Sequence, residues 1–262
     1  MTVRGVTSAE LIVELERRLH ADRPSALAFD ADGTLWSGDV GEDVFLFAVG
    51  HGRLREAARA QLELEATSRG FETFQDVNAT AKHLFDAYLA HRFPERETCE
   101  LMTWCFAGHT PAEMKELARE ALEATEHAQR LHRELGPVLE FARKHALRTI
   151  VVSASPRSVV ELGASAWGFA ANDVAAATPR VVSGIISAEM DGSLPYASAK
   201  CVAGRALLGT THWLGSFGDN VFDFEMLLEA ELGIAVRPKP ALTARLAQIP
   251  GVLLLDANLH RG

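Results

Sequence analysis

FDADGTLW, residues 29–36, places two aspartates two positions apart where a run of uncharged residues ends. That run, residues 26–29, has the length and composition of a buried strand. Because strand side chains alternate between two faces, Asp30 and Asp32 should lean into the same space, where their charges repel each other. The fold must therefore bring a compensating positive charge to this point.

The composition indicates a globular chain whose partners are small and soluble. With 262 residues, 48% of them apolar, it suits one large domain or a core with a smaller second domain. A net charge of -9 argues against nucleic-acid and membrane partners, which would require a basic surface. Three cysteines without metal-type spacing and the lack of a membrane-length apolar run predict a cytoplasmic location. Composition leaves the oligomeric state open.

Short apolar runs alternate with helical patterns along most of the chain. A helix is predicted over 7–20, before the first strand. Later strands are predicted at 149–152, 213–217, 232–236 and 252–255, and helices at 138–145, 156–167 and 201–208. This alternation predicts an α/β fold with a doubly wound, mainly parallel, Rossmann-like sheet.

The alternation is interrupted once, directly after the two aspartates. Between 36 and about 130 only helical patterns occur, at 41–49, 54–66, 74–89 and 111–124. Since this stretch is too long for a crossover, we predict an inserted all-helical cap domain at 39–128. The catalytic core would then comprise 1–38 and 129–262. A hairpin is predicted beside the core, with strands 181–190 and 194–197 joined at Asp191-Gly192.

Polar residues follow several of the predicted strands and should meet at one edge of the sheet. They are Asp30, Asp32, Ser153, Lys200, Asp219 and Asp223. So many carboxylates in one crevice require a hard divalent cation with oxygen ligands. Mg²⁺ fits this set better than Zn²⁺, which favours histidine and cysteine.

Four short motifs in this order resemble the haloacid dehalogenase superfamily, in the phosphoserine phosphatase-like branch with an all-helical cap. They are DADGT at 30–34, VVSASP at 151–156, Lys200 and GDNVFD at 218–223. The resemblance implies a Mg²⁺-dependent phosphomonoester hydrolase that acts on a small metabolite phosphate through an aspartyl-phosphate. Ala154-Ser155 and Phe222 stand where phosphoserine phosphatases usually have Gly-Gly and Asn, and the substrate is left open.

The resemblance implies a role for each acidic motif residue. Asp30 is the expected nucleophile, and Asp32 is the expected general acid and base. The backbone carbonyl of Asp32 is also an expected Mg²⁺ ligand. Thr34 should orient Asp30 through a hydrogen bond. Asp219 should bind Mg²⁺, and Asp223 should hold the ion directly or through water.

The phosphate site is expected at the second and third motifs. Ser153 and the amide of Ala154 should bind phosphate oxygens, helped by a helix that starts at Pro156 with Ser155 as its cap. Lys200 should neutralise charge shared by the nucleophile and the phosphate.

Each candidate specificity residue has two interpretations, one functional and one structural. Asp39 and Glu42 either bind the amine of a phosphorylated amino acid or amino alcohol, or form the capping box of a helix. Trp36 either lines the substrate slot or is buried between core and cap. Arg157 either contacts substrate or is a solvated helix residue.

Two other functions use similar groups. A receiver-like signalling protein also has an acidic pair, Mg²⁺, a hydroxyl and a lysine around a phosphorylated aspartate, but its acids are not adjacent on one loop. A phosphomutase would transfer the phosphoryl group to a sugar acceptor instead of to water.

Overall fold

A parallel sheet forms the centre of the computed structural model, which describes residues 3–20 and 22–255. Its seven strands run in the order β1-β9-β8-β7-β2-β3-β4, and two further strands form a separate antiparallel hairpin. The strands are β1 (Arg4–Val6), β2 (Ser25–Phe29), β3 (Arg148–Pro156), β4 (Val174–Ala177), β5 (Pro179–Val182), β6 (Ile185–Met190), β7 (His212–Gly218), β8 (Leu232–Val236) and β9 (Leu253–Leu255).

Helices cover the sheet and fill the long gap between β2 and β3. They are α1 (Ser8–Arg18), α2 (Val40–Gly50), α3 (Arg59–Ser68), α4 (Val77–Leu89), α5 (Glu95–Trp104), α6 (Pro111–Ala124), α7 (Gly136–Lys144), α8 (Arg157–Ser165), α9 (Ala199–Leu208), α10 (Phe224–Glu229) and α11 (Pro240–Thr243). No described helix combines the length and apolar character required to cross a bilayer. The Rossmann-like α/β fold predicted from the alternation is confirmed.

The strand order places the first aspartate motif at a reversal of the winding direction. From β2 the chain winds outward through β3 and β4, and later through β7, β8 and β9 on the other side. All residues of β2 and β8 are buried, which explains why both strands lack charged residues and are mostly apolar. Ligands of such sheets bind beyond the carboxyl ends of the strands at the reversal, so β2, β3 and β7 converge on the candidate site.

Five helices, α2 to α6, form the insertion between β2 and β3. The sequence patterns predicted four of them and missed α5. Helix α6 packs against α2 within the insertion and against α8 of the sheet-bearing part. One continuous set of buried apolar side chains joins the two parts. The division at 39–128 remains our proposal, and residues 1–2, 21 and 256–262 of the proposed core lie outside the described residues.

The predicted strands and turn of the hairpin are wrong, because the turn falls inside 181–190 and residues 194–197 form no strand. Its strands are β5 and β6, which pair as Val182 with Ile185 around Ser183-Gly184. Both turn residues have positive φ, +50° and +82°, as a two-residue hairpin turn requires. The hairpin also hydrogen-bonds to the insertion, between Ile186 and the loop at Gly108 and His109, instead of standing beside the core.

Candidate active site

Asp30 occupies the first position after β2. Its amide donates to the carbonyl of Phe217 at 2.9 Å, which ties the loop to β7. Its Oδ1 accepts from the Lys200 ammonium at 2.6 Å, and its Oδ2 accepts from the Thr34 hydroxyl at 3.2 Å. Both oxygens of this carboxylate are thus oriented, in a residue that is only 5% exposed.

Lys200, in the first turn of α9, supplies the buried positive charge. Its ammonium contacts the carboxylates of Asp30 and Asp223 together. Burial alone would lower the pKa of Lys200, but the charges of Asp223 and Asp30 raise it above its ordinary value. Conversely, burial and Asp223 raise the pKa of Asp30, while Lys200 opposes that rise. The lysine therefore stays charged and favours ionised Asp30.

The loop after β7 is organised around Asp223. The Oδ2 of Asp223 accepts from the amides of Asp219 and Asn220, at 3.1 Å and 2.9 Å. Its Oδ1 accepts from Lys200. Since both oxygens already have partners, Asp223 is better placed to shape the loop and to reach an ion through water than to bind it alone.

Replacing Lys200 by methionine is expected to lower the free energy of unfolding by about 3–5 kcal/mol, because two buried carboxylates lose their cation. Chemical denaturation of the metal-free protein measures this loss. Lys82→Met is a matched control, since Lys82 pairs with Asp86 on an exposed helix face. The control should lose about 1 kcal/mol or less. Similar losses in the two variants would contradict the role given to Lys200.

Three carboxylates form a cluster that fits a divalent cation. Asp30, Asp219 and Asp223 offer oxygens that lie within 4.8 Å of one another. The Oδ1 of Asp219 is buried without a hydrogen-bond partner in the described part of the chain, and its Oδ2 lies 3.2 Å from the Lys239 ammonium. Burial, and then the charge of Asp223, raise the pKa of Asp219 to about 6. Such a set of close oxygen donors suits Mg²⁺.

Gly33 allows the first loop to approach the third. Its φ is +82°, a conformation that other residues adopt only with strain. A Cβ at this position would overlap the carboxylate of Asp219. Both the backbone angle and the close approach to Asp219 therefore require glycine at this position, between Asp32 and Thr34.

The end of β3 carries Ser153 and Ala154, both of which line the same cavity as Asp30. The Ser153 hydroxyl accepts from the amide of Ser155 at 3.0 Å. The predicted helix cap is wrong, because α8 begins one residue later than expected and its N-cap, Pro156, has no side-chain cap bond. Ser155 instead donates its hydroxyl to the Oδ2 of Asp32 at 2.6 Å.

Asp32 is held by donors from three parts of the chain. Its Oδ1 accepts from the Trp36 indole and from the amide of Val40, both at 2.8 Å, and its Oδ2 accepts from Ser155. None of these donors is shared with the carboxylate of Asp30, which accepts from Lys200 and Thr34. The charge repulsion expected from the spacing of the motif is thereby reduced, since the two side chains have separate partners.

A cavity of about 310 Å³ opens above these residues, between the sheet and the insertion. Asp39 and Glu42 both line it. Asp39 is also the N-cap of α2, where its Oδ1 accepts from the Glu42 amide at 2.9 Å. Burial, and then the charges of Asp32 and Glu42, raise the pKa of Asp39. The structure thus shows the capping contact of Asp39 and leaves the substrate contact as a proposal.

The other two candidate specificity residues lie outside the cavity wall. Trp36 is completely buried, with its indole nitrogen on Asp32. Arg157 pairs with Glu161 at 2.7 Å and donates to the carbonyl of Ala171 at 3.2 Å. We therefore assign neither side chain a contact with substrate.

Sequence patterns missed several residues of the cavity wall. Lys239 follows β8, so the strand-end reasoning used for Asp219 could have found it. Tyr88 and Glu95 lie on helices of the insertion, and Tyr196 lies in the loop before α9. Periodicity in a helix indicates which face is buried but does not indicate which buried side chain meets a distant loop.

Comparisons with known proteins agree with this geometry. Residues 27–228 match the family of haloacid dehalogenase-like hydrolases. No curated protein matches the sequence. Solved structures share the fold at low sequence identity.

A protein of unknown function from Bordetella pertussis Tohama I is 20% identical, with a TM-score of 0.69 over 89% of this chain and 99% of that one. A probable phosphoserine phosphatase from Vibrio cholerae is 13% identical, with a TM-score of 0.56 over 89% of this chain and 61% of that one. A phosphoserine phosphatase, solved as an analogue of its phospho-aspartyl intermediate, is 14% identical, with a TM-score of 0.51 over 91% of this chain and 97% of that one.

At such identities these likenesses establish a common fold. The family match itself covers well over half of the chain and includes all four motifs that meet at the edge of the sheet. The resemblance seen in those motifs is confirmed, and the chain belongs to the haloacid dehalogenase-like hydrolase family.

Proposed function

We propose that the chain is a Mg²⁺-dependent phosphomonoester hydrolase that acts on a small phosphorylated metabolite through an aspartyl-phosphate on Asp30. The observation that carries this proposal is the contact of buried Asp30 with Lys200 and Thr34 in the wall of the cavity between the sheet and the insertion. A nucleophilic carboxylate requires this combination of orientation, nearby cations and limited access of water.

In the first step, the Asp30 carboxylate attacks phosphorus while the bond between phosphorus and the leaving oxygen breaks. Asp32 gives its proton to that oxygen, so the leaving group departs as a neutral alcohol. In the second step, Asp32 takes a proton from water, which attacks phosphorus and releases inorganic phosphate from Asp30. The two steps together consume one water and restore both aspartates.

Mg²⁺ would be held by Asp30, Asp219 and the carbonyl of Asp32, with Asp223 behind them. When bound, the ion neutralises phosphate charge in the transition state. Ser153 and the amide of Ala154 would hold other phosphate oxygens, and Lys200 would balance the charge that remains. The lone buried oxygen of Asp219 supports this arrangement.

The insertion at 39–128 would act as a cap that excludes water and selects the substrate. Its contribution of Asp39 and Glu42 to the cavity supports this role. A cytoplasmic location remains our proposal, supported by three cysteines that form no disulfide.

Release of inorganic phosphate from an aryl phosphate, with Mg²⁺ and with EDTA, tests the proposed function. Steady turnover with Mg²⁺ and its loss in EDTA are expected. Undiminished rates in EDTA would rule out the metal-dependent reaction. A stable phospho-protein without turnover would favour the receiver-like alternative, and an isomeric sugar phosphate without free phosphate would favour a phosphomutase.

The stabilisation by Mg²⁺ is expected to increase between about pH 5 and about pH 7.5. The pKa of Asp219 is raised from 3.8, its ordinary value in an unfolded chain, to about 6. In the metal-free protein, this group therefore stabilises the fold fully below about pH 3.8, and its contribution is lost as the pH rises through about 6. Mg²⁺ binds the ionised form and offsets that loss. Thermal unfolding with Mg²⁺ and with EDTA measures the difference. In Asp219→Asn the increase should be smaller, because one of the carboxylates with a raised pKa is gone; an equal increase in both proteins would contradict the assignment.

A further inference from the structure

The part of the cavity beyond the phosphate site carries excess negative charge. Among the described residues, six carboxylates line the cavity, and only two ammonium groups, those of Lys200 and Lys239, line it with them. A bound divalent cation and a phosphate dianion cancel each other, so the excess persists in the loaded site. The leaving group attached to a bound phosphate must lie against this wall, because the phosphate site and the acidic wall line the same cavity.

The excess is concentrated on the insertion. Asp39, Glu42 and Glu95 line the cavity, and burial is the first cause that raises the pKa of each. Among the described residues, Glu95 forms no ion pair within 4 Å, and the only positive charge that opposes the rise of its pKa is that of Lys239. Half-buried acids without a basic partner are stabilised by a cation placed between them.

Aromatic rings complete this wall. Tyr88, Tyr196 and Phe222 line the cavity, and the rings of Tyr196 and Phe222 lie 4.4 Å apart between centroids. The phenol of Tyr88 offsets part of the rise in the pKa of Glu42. Aromatic faces beside carboxylates form the type of surface that attracts alkylammonium groups by cation–π contact and by charge.

The wall offers little to a second negative group on the substrate. Lys200 is held by Asp30 and Asp223, and Lys239 is paired with Asp219 at 3.2 Å. No arginine lines the cavity in the part of the chain that the structure describes. A carboxylate on the leaving group would therefore face the acids without the bidentate partner that such groups favour.

We propose that the preferred substrates are phosphate monoesters of amino alcohols, whose leaving group carries an ammonium or alkylammonium charge and no carboxylate. The inference rests on the proposed phosphatase function of the same site. Asp39, Glu42 and Glu95 bind the nitrogen by charge, and Tyr88 and the Tyr196–Phe222 pair enclose its carbon substituents. Two candidates from the sequence, Asp39 and Glu42, thereby determine specificity together with residues that the sequence patterns missed.

Matched esters test this substrate class. Phosphoethanolamine and phosphocholine are compared with their neutral isosteres, propyl phosphate and 3,3-dimethylbutyl phosphate, and with phosphoserine. At least one cationic ester is expected to exceed its isostere about tenfold or more in kcat/KM, a difference of about 1.4 kcal/mol. Calorimetry with Mg²⁺-loaded Asp30→Asn should show the same preference in binding, without turnover.

Two conservative variants locate the effect. Glu42→Gln and Glu95→Gln should each reduce kcat/KM for the cationic ester several-fold while changing that for its neutral isostere less than about twofold. Glu100→Gln is the control, since Glu100 lies on the same helix as Glu95 and pairs with Arg96. It should leave both esters unchanged.

The outcomes separate this inference from the proposed function. Hydrolysis of an aryl phosphate with equal rates for cationic and neutral esters would overturn the substrate class and leave the phosphatase intact. A preference for phosphoserine over both amino-alcohol esters would also overturn it. Failure to hydrolyse any ester, the aryl phosphate included, would refute the proposed function, and the substrate class with it.

Discussion

Asp30→Asn is expected to lower kcat for an aryl phosphate by about 10⁴-fold or more. The amide that replaces the carboxylate is not a nucleophile, and no described side chain occupies an equivalent position beside both Lys200 and Thr34. Lys200 would keep its contact with Asp223, so its buried charge would stay paired. The variant should therefore fold, and the loss should appear in turnover. Phosphate release under substrate saturation measures it.

The control for this variant is Asp191→Asn. Asp191 is exposed next to the hairpin and does not line the cavity, so its replacement should leave kcat unchanged. Mass spectrometry of the acid-quenched wild-type protein should also find a phosphate on the peptide that contains Asp30. Substantial turnover by Asp30→Asn would remove the nucleophile assignment, even if the metal dependence were confirmed.

The residues at the strand ends could be predicted because the local sequence determines where each strand ends. A buried parallel strand favours a run of apolar residues, as at 26–29 in β2 and throughout β8, and the first polar residue after this run lies at the edge of the sheet. Asp30 and Asp219 directly follow their strands, and Ser153 lies near the end of β3. Their convergence then depends only on the winding of the sheet, which the alternation of strands and helices indicates.

Contacts that depend on pairing between distant segments could not be predicted. The bond from Ser155 to Asp32 joins residues 123 positions apart, and a cap role for the same serine was equally consistent with its neighbours. The second partner of Lys200, Asp223, is likewise a tertiary contact. For the hairpin, Ser183-Gly184 and Asp191-Gly192 are both turn sequences, and only the packing of β6 against α5 selects the first.

Asp32→Asn is expected to lower kcat by about 10²–10⁴-fold, because the leaving oxygen loses its proton donor and water loses its base. The substitution tests chemistry and not geometry. The asparagine oxygen can still accept from the Trp36 indole and the Val40 amide, and its amide group can donate to the Ser155 hydroxyl in place of accepting from it. The backbone carbonyl is unchanged, so Mg²⁺ should bind with nearly wild-type affinity.

A comparison of two leaving groups provides an internal control for Asp32→Asn. An aryl phosphate with a strongly acidic phenol needs little proton donation, whereas an alkyl phosphate needs it fully. The loss in the first chemical step should therefore be larger for the alkyl ester, and single-turnover measurements of phenol and alcohol release compare the two. Equal losses for both leaving groups would show that Asp32 positions the substrate without protonating it, and wild-type rates would remove Asp32 from the reaction altogether.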